Sequence, residues 1–359
     1  MHPETSPTPV MATPPAGEPL IRVDHVIKEF AVTRGLVLQR QVGSVKAVSD
    51  VSFTVAEKET FGIVGESGCG KTTIGRLLVG LEHPDSGNIV IDGGEVGRKS
   101  FSRKARGRLI QMMFQDPQSS LNPRMRVRAI IEEPLVIHQL GSRDERRGTV
   151  DALLGEVGLA PRLANRYPHE LSGGQRQRIG LARALALRPR IIVADEPVSA
   201  LDVSIRSQIL NLMHDLQTKH NLTYVIISHD LSVVRYMAHR IGVVYLGKLV
   251  ELSPSDTLYH EPAHPYTKGL INAIPLADPA IERNKERLSP TGELPSSISP
   301  PSGCRYRTRC PLAQAVCTEA EPPLQEIRPQ HLVACHFPLI EGSSDDGAGP
   351  LRHGGPADR

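Results

Sequence analysis

The stretch Gly65-Glu66-Ser67-Gly68-Cys69-Gly70-Lys71-Thr72-Thr73 limits what this chain can fold into more than any other feature. It matches the pattern G-x4-G-K-S/T, behind an apolar run at 61–64 and ahead of a helical run at 71–80. A strand entering and a helix leaving such a turn is the context in which the pattern has a mechanism. Glycines let successive backbone N–H groups converge on phosphate oxygens. The helix start adds its positive end. Lys71 then reaches the β- and γ-phosphates of a nucleotide, and the Thr72 hydroxyl ligates Mg2+. The plainer alternative is a glycine-rich turn with a chance lysine, and the flanking strand and helix weigh against it.

The rest of the chain alternates. Strand-like runs at 21–30, 49–55, 61–64, 191–194 and 224–227 are interleaved with helical runs at 71–80, 175–187 and 205–220. This predicts an α/β fold with a partly parallel sheet. The run at 191–194 ends in Asp195 and Glu196. Asp195 is the candidate for the Mg2+ shell, through water, and Glu196 for the general base that polarises an attacking water. A solvated acidic loop is the alternative reading of that pair. The 42 basic residues against 39 acidic leave a net charge of +3, so no strong polyanion-binding field is implied. No apolar run reaches about 18 residues, so no membrane-spanning helix is expected. Residues 1–19, with Pro3, Pro7, Pro9, Pro14 and Pro15, lack the pattern of a secretory signal. They and residues 341–359 are expected to be disordered tails.

Leu171-Ser172-Gly173-Gly174-Gln175 opens the helical run before the Asp-Glu pair. With this signature in place the chain resembles the ATP-binding cassette family. The fold implied is a P-loop NTPase cassette at 20–255, with a helical signature subdomain around 116–180. A small cysteine-rich accessory domain is expected at 256–340. The resemblance implies that Ser172 and the amides of Gly173 and Gly174, with Gln175 beside them, cap the γ-phosphate of ATP held by a facing subunit. Two cassettes would then bury two ATP molecules between them. Gln115 matches the glutamine that senses Mg2+ and water. Ser199-Ala200-Leu201-Asp202 matches the loop that crosses to the other subunit. His229 matches the switch histidine that contacts the γ-phosphate and steadies Glu196. Phe30 is the candidate for stacking on adenine, with a core position as its alternative.

Three further stretches resemble the ATPase subunits of bacterial peptide importers: residues 64–71, 113–123 and 195–204. His264-Pro265-Tyr266-Thr267 and the cysteine-bearing tail add to the likeness. The likeness is to the second, F-type, of the two ATPases in such systems. It implies a heterodimer with another cassette ATPase, two membrane permeases and a solute-binding protein, at the cytoplasmic face of the membrane. Dipeptide, oligopeptide, glutathione or nickel-type cargo all remain open. Two other classes stand beside it: a nucleic-acid- or ribosome-linked ATPase of the same fold, and a protein that only binds nucleotide. The near-neutral charge disfavours the first, and intact Glu196 and His229 the second.

Four of the five cysteines fall late in the chain, at Cys304, Cys310, Cys317 and Cys335, with spacings x5, x6 and x17. A cytosolic protein should not rely on disulfides. The group therefore reads as a metal site, a 4Fe–4S cluster first and zinc second, with no metal as the third reading. Arg305, Arg307 and Arg309 would offset the negative charge of a cluster.

Overall fold

The computed structural model describes residues 18–34, 40–97, 101–116, 120–199, 201–274, 293 and 295–340. Apart from residues 18 and 19, the expected tails lie outside these residues. Two sheets organise the chain. The smaller is antiparallel in the order β2-β1-β4-β5, from β1 (Ile21–Arg34), β2 (Arg40–Val55), β4 (Ser86–Ile91) and β5 (Gly94–Glu95). The larger sheet begins with parallel neighbours β6 (Ile110–Met113), β7 (Ile191–Asp195), β8 (Thr223–Ser228), β3 (Thr60–Val64) and β9 (Arg240–Tyr245). Antiparallel β10 (Lys248–Pro254), β12 (His331–Val333) and β11 (Gln325–Arg328) extend it.

β3, β7 and β8 are buried along their whole length. That is why they read as unbroken apolar runs: a parallel sheet covered on both faces has no polar side to alternate with. Successive side chains still part to opposite faces. Ile191, Val193, Val225 and Ile227 join a core with Ile74, Leu77 and Leu78 of the helix Lys71–Val79, and with Ile21, Val51 and Ile89 of the small sheet. That helix is therefore held between the two sheets. Ile192, Ala194, Tyr224 and Ile226 face a second core. Helices Val127–Ile137, Arg143–Glu156, Gly173–Leu185 and Val203–His220 contribute to it through Ile131, Leu154, Ile179 and Ile209.

The C-terminal segment is built into the same body. β12 pairs with β10 through Glu251↔Val333 and Leu252↔Leu332. Tyr266 and Tyr306 lie in the second core. Glu251, with no exposed surface, accepts hydrogen bonds from the N–H groups of Ala263 (2.7 Å) and His264 (3.0 Å), and His331 Nε2 lies 2.7 Å from its carboxylate. One buried acid thus ties β10 and β12 to the start of the helix Pro265–Asn272.

His264 caps that helix, its Nδ1 accepting from Tyr266 N–H at 3.0 Å. Burial pushes its pKa from 6.5 down to about 4, against the opposing pull of Glu251. Folded His264 stays neutral over a range where an unfolded histidine takes up a proton. Its stabilising share is present above about pH 6.5 and is lost as pH falls towards 4, by about 3 kcal/mol at most. The melting temperature should therefore drop through this window. His264→Gln, which keeps an acceptor for Tyr266, should drop less steeply; parallel slopes in the two proteins would contradict this role.

Candidate active site

The parallel register brings three strand ends level. Val64 stands opposite Ser228, and Ile227 opposite Asp195. The residues that follow these positions therefore meet at one edge of the sheet, where open α/β sheets place their ligands.

From β3 the chain enters the loop 65–70. Gly65 (φ 154°) and Gly70 (φ 106°) carry positive φ, and a Cβ on either would stand about 2 Å from a backbone oxygen, Val244 O and Ala47 O respectively. Only glycine fits at these positions. Lys71 is 6% exposed, and its Nζ donates to Gly65 O (2.7 Å) and Glu66 O (2.9 Å), so the loop wraps the ammonium. Cys69 is buried, Lys71 Nζ lies 3.8 Å from its Sγ, and burial pushes its thiol pKa up. Thr72 Oγ1 donates to Asp195 Oδ1 at 3.2 Å. Asp195 is 2% exposed; burial raises its carboxyl pKa, and the Thr72 hydroxyl and Lys71 ammonium pull the other way.

Glu196 takes a left-handed conformation (φ 51°) that few non-glycine residues adopt, and its N–H donates to Ile227 O at 2.8 Å. The kink turns its carboxyl towards β8. There Oε1 accepts from His229 N–H (3.1 Å) and stands 2.7 Å from His229 Nδ1. The other oxygen, Oε2, is buried without a hydrogen-bond partner among the described residues. The His229 side chain is 57% exposed, so its ring is open on the side away from Glu196. A hydroxyl beside a carboxylate, a lysine held by a glycine-rich loop and an unpaired base oxygen fit a nucleotide with its Mg2+. Lys71, Thr72 and Asp195 are the groups that could hold them.

Ser172 caps the helix Gly173–Leu185 in a capping box: its Oγ accepts from Gln175 N–H and its N–H donates to Gln175 Oε1. Ser172 is exposed and Gly173 half-buried. Among the described residues, no hydrogen bond or ion pair links this helix start to the loop 65–73. The helix is tied instead to the loop that follows Glu196. Gln177 Nε2 donates to Pro197 O at 2.5 Å, and Leu201 closes on Gly173. Gln115 is exposed just past β6. The Phe30 ring is half-buried on β1, with Lys28 Nζ 5.4 Å from its centroid. Ala200 lies outside the described residues.

The metal expectation for Cys304, Cys310, Cys317 and Cys335 is corrected. These thiols line one narrow cavity with His264, Tyr306 and Phe337, and all are free. Among the described residues, however, no group of three or more His, Cys, Asp or Glu side chains could hold a metal ion. Neither the 4Fe–4S cluster nor the zinc alternative stands. The thiols serve as packing: Cys304 and Cys310 lie against the core and Cys317 is buried. Burial pushes the thiols of Cys304 and Cys310 up and that of Cys335 to about 12, which keeps them protonated. The arginines are engaged elsewhere. Arg305 donates to Leu246 O, Arg307 to Ser302 O, and Arg309 pairs with Glu66.

Arg309 and Tyr266 are the site neighbours that the motifs alone do not reveal. Arg309 NH1 and NH2 grip Glu66 Oε2 and Oε1 at 2.8 and 3.0 Å, and Tyr266 OH accepts from Glu66 N–H at 2.9 Å. Tyr266 sits in a stretch that the sequence singles out, but its partner lies 200 positions away.

Family comparisons agree with this geometry. Residues 48–199 match the ABC transporter family model, and residues 250–317 match the C-terminal region of oligopeptide/dipeptide transporters. The oligopeptide transport ATP-binding protein AppF of Bacillus subtilis is 51% identical over 89% of this chain and 98% of its own length. OppF of Salmonella typhimurium is 50% identical over 81% of this chain and 88% of its own. Among solved structures, the post-hydrolysis dimer of the ATP-binding cassette MJ0796 bound to ADP and Pi superposes with a TM-score of 0.58 at 30% identity, covering 66% of this chain and 98% of that one. The chain belongs to the ABC transporter family, as an ATP-binding cassette that carries the C-terminal region of the oligopeptide/dipeptide transporters.

Proposed function

We propose that this chain is the ATP-hydrolysing subunit of a peptide importer, working at the cytoplasmic face of a membrane. The observation that carries the reading is the meeting of Lys71, Thr72, Asp195, Glu196 and His229 at one sheet edge, in a chain about half identical to oligopeptide transport ATP-binding proteins. The alternative of a nucleic-acid- or ribosome-linked ATPase finds no support among these relatives. No helix among the described residues is long and apolar enough to cross a membrane. Coupling to transport therefore needs membrane permeases as partners, and with them a second cassette and a solute-binding protein.

In this reading the loop 65–73 curls round the phosphates with amides such as those of Ser67 and Gly68, while the Glu66 N–H stays on Tyr266 OH, and Lys71 leaves its loop carbonyls for the β- and γ-phosphate oxygens. Phe30 stacks on the adenine. Thr72, Asp195 and Gln115 are the residues that would hold Mg2+, which when bound would supply positive charge to offset that of the phosphates. Glu196 Oε2, the unpaired oxygen, accepts a proton from water as that water attacks the γ-phosphorus and the bond to the bridging oxygen breaks, leaving ADP and phosphate. His229 steadies Glu196 through Oε1. Ser172, Gly173, Gly174 and Gln175 offer the start of a 13-residue helix to the γ-phosphate held by the facing subunit.

Glu196→Gln should keep ATP binding in the full chain and lower turnover by about 100-fold or more, the usual scale of a lost general base. Phosphate release measured on the assembled transporter checks this, and turnover near wild type would remove Glu196 from the role. Ser172→Arg should leave ATP binding to the separate chain intact while abolishing hydrolysis in the complex. Lys71→Ala should lose binding in the separate chain. Equal binding losses from these two changes would contradict a site shared between subunits.

A further inference from the structure

The C-terminal segment supports the phosphate-binding loop at two places, directly at Glu66 and through the β9–β10 turn at Cys69. At the first, the Arg309 guanidinium forks onto the Glu66 carboxylate at 2.8 and 3.0 Å, and Tyr266 OH accepts the Glu66 N–H. Arg309 is 8% exposed and Tyr266 fully buried. Two further tyrosines back them, with Tyr245–Tyr266, Tyr245–Tyr306 and Tyr266–Tyr306 centroids at 4.7, 5.2 and 5.4 Å. Arg309 also stands 5.9 Å from the Tyr245 ring. At the second, Arg305 donates to Leu246 O in the β9–β10 turn, whose Gly247 N–H donates to Cys69 O at 2.8 Å. The loop is thus braced near its start, at Glu66, and near its end, at Cys69.

Glu66 is an awkward residue for this loop. Its carbonyl accepts from Lys71 Nζ, so its carboxylate sits on the residue that borders the phosphate-reading lysine. A bare carboxylate there competes for Lys71 and repels the nucleotide's phosphates. The bidentate pair with Arg309 cancels that charge and fixes its direction.

We propose that Arg309 and Tyr266 are positioning residues of the ATP site, so that the C-terminal segment neutralises Glu66 and holds the phosphate-binding loop in its receptive shape. The inference rests on the reading that the loop 65–73 binds the triphosphate. It makes the segment part of the nucleotide site rather than a tether beyond it.

The test is ATP and ADP titration of the full-length chain. Arg309→Gln should weaken ATP binding by about 10-fold or more, since removing one partner strands the other's charge. ADP binding should weaken less, because it lacks the γ-phosphate charge. Adding Glu66→Gln to Arg309→Gln should restore ATP affinity to within about 3-fold of wild type, because the stranded charge is gone. A purely structural Arg309 would show equal losses for ATP and ADP and no rescue. If Arg309→Gln does not fold, Arg309→Lys and Tyr266→Phe serve instead. The first keeps the charge without the fork, and the second keeps the ring without the acceptor. Each should cost about 3-fold in ATP affinity, on the scale of one hydrogen bond. Unchanged ATP affinity in these variants, or a double variant as weak as Arg309→Gln, overturns the proposal. Failure of the wild-type chain to bind ATP overturns instead the reading of the loop.

Discussion

Everything in this site depends on the parallel register of β3, β8 and β7. Val64 opposite Ser228, and Ile227 opposite Asp195, set three chain reversals at one height. A slip of one residue would send alternate side chains to the wrong face. The two cores that clasp the sheet make such a slip costly, with Val193 and Val225 facing the helix Lys71–Val79 and Tyr224 and Ile226 the helices opposite. The site is polar and strained; the strands behind it, β3, β7 and β8, are buried and mostly apolar. Left-handed Glu196 and the glycine-only loop conformations are tolerated because the strands beneath them cannot move.

The second constraint is less local. Glu251 is buried without exposed surface and is held by two backbone amides and His331. Losing these partners would leave an uncompensated charge in the core, which costs more than the pair gains in being made. The segment that follows β10 is thereby anchored to the large sheet, and from that anchor it reaches back to Glu66. The same chain region that distinguishes this branch of the family thus packs on the part that all cassettes share.

Much of this was legible in the sequence, for a physical reason. The glycine-rich loop 65–73 and the Asp195-Glu196 pair are each contiguous, so residue type and spacing single them out, and the structure brings them together. The buried strands read correctly because they are continuous apolar runs, although β1 continues past residue 30 to Arg34 and β2 begins at Arg40. The helix behind the signature starts at Gly173, ahead of the position its apolar pattern suggests, because the Ser172 cap compensates for two glycines. The Arg309–Glu66 pair was not legible: it spans 243 positions, and nothing local marks it. The cysteines misled for the opposite reason. Their clustering is visible in the sequence, but spacing cannot tell metal-ligating thiolates from free thiols packed into the fold.

Backbone amide exchange on the full-length chain, with and without ATP and Mg2+, tests the account most directly. Exchange should slow at residues 66–73 and at 228–229, and in the same range of ATP concentration at 304–310. Slowing at the loop with no change at 304–310 would contradict the joining of the C-terminal segment to the site. No slowing at 66–73 would contradict the site itself.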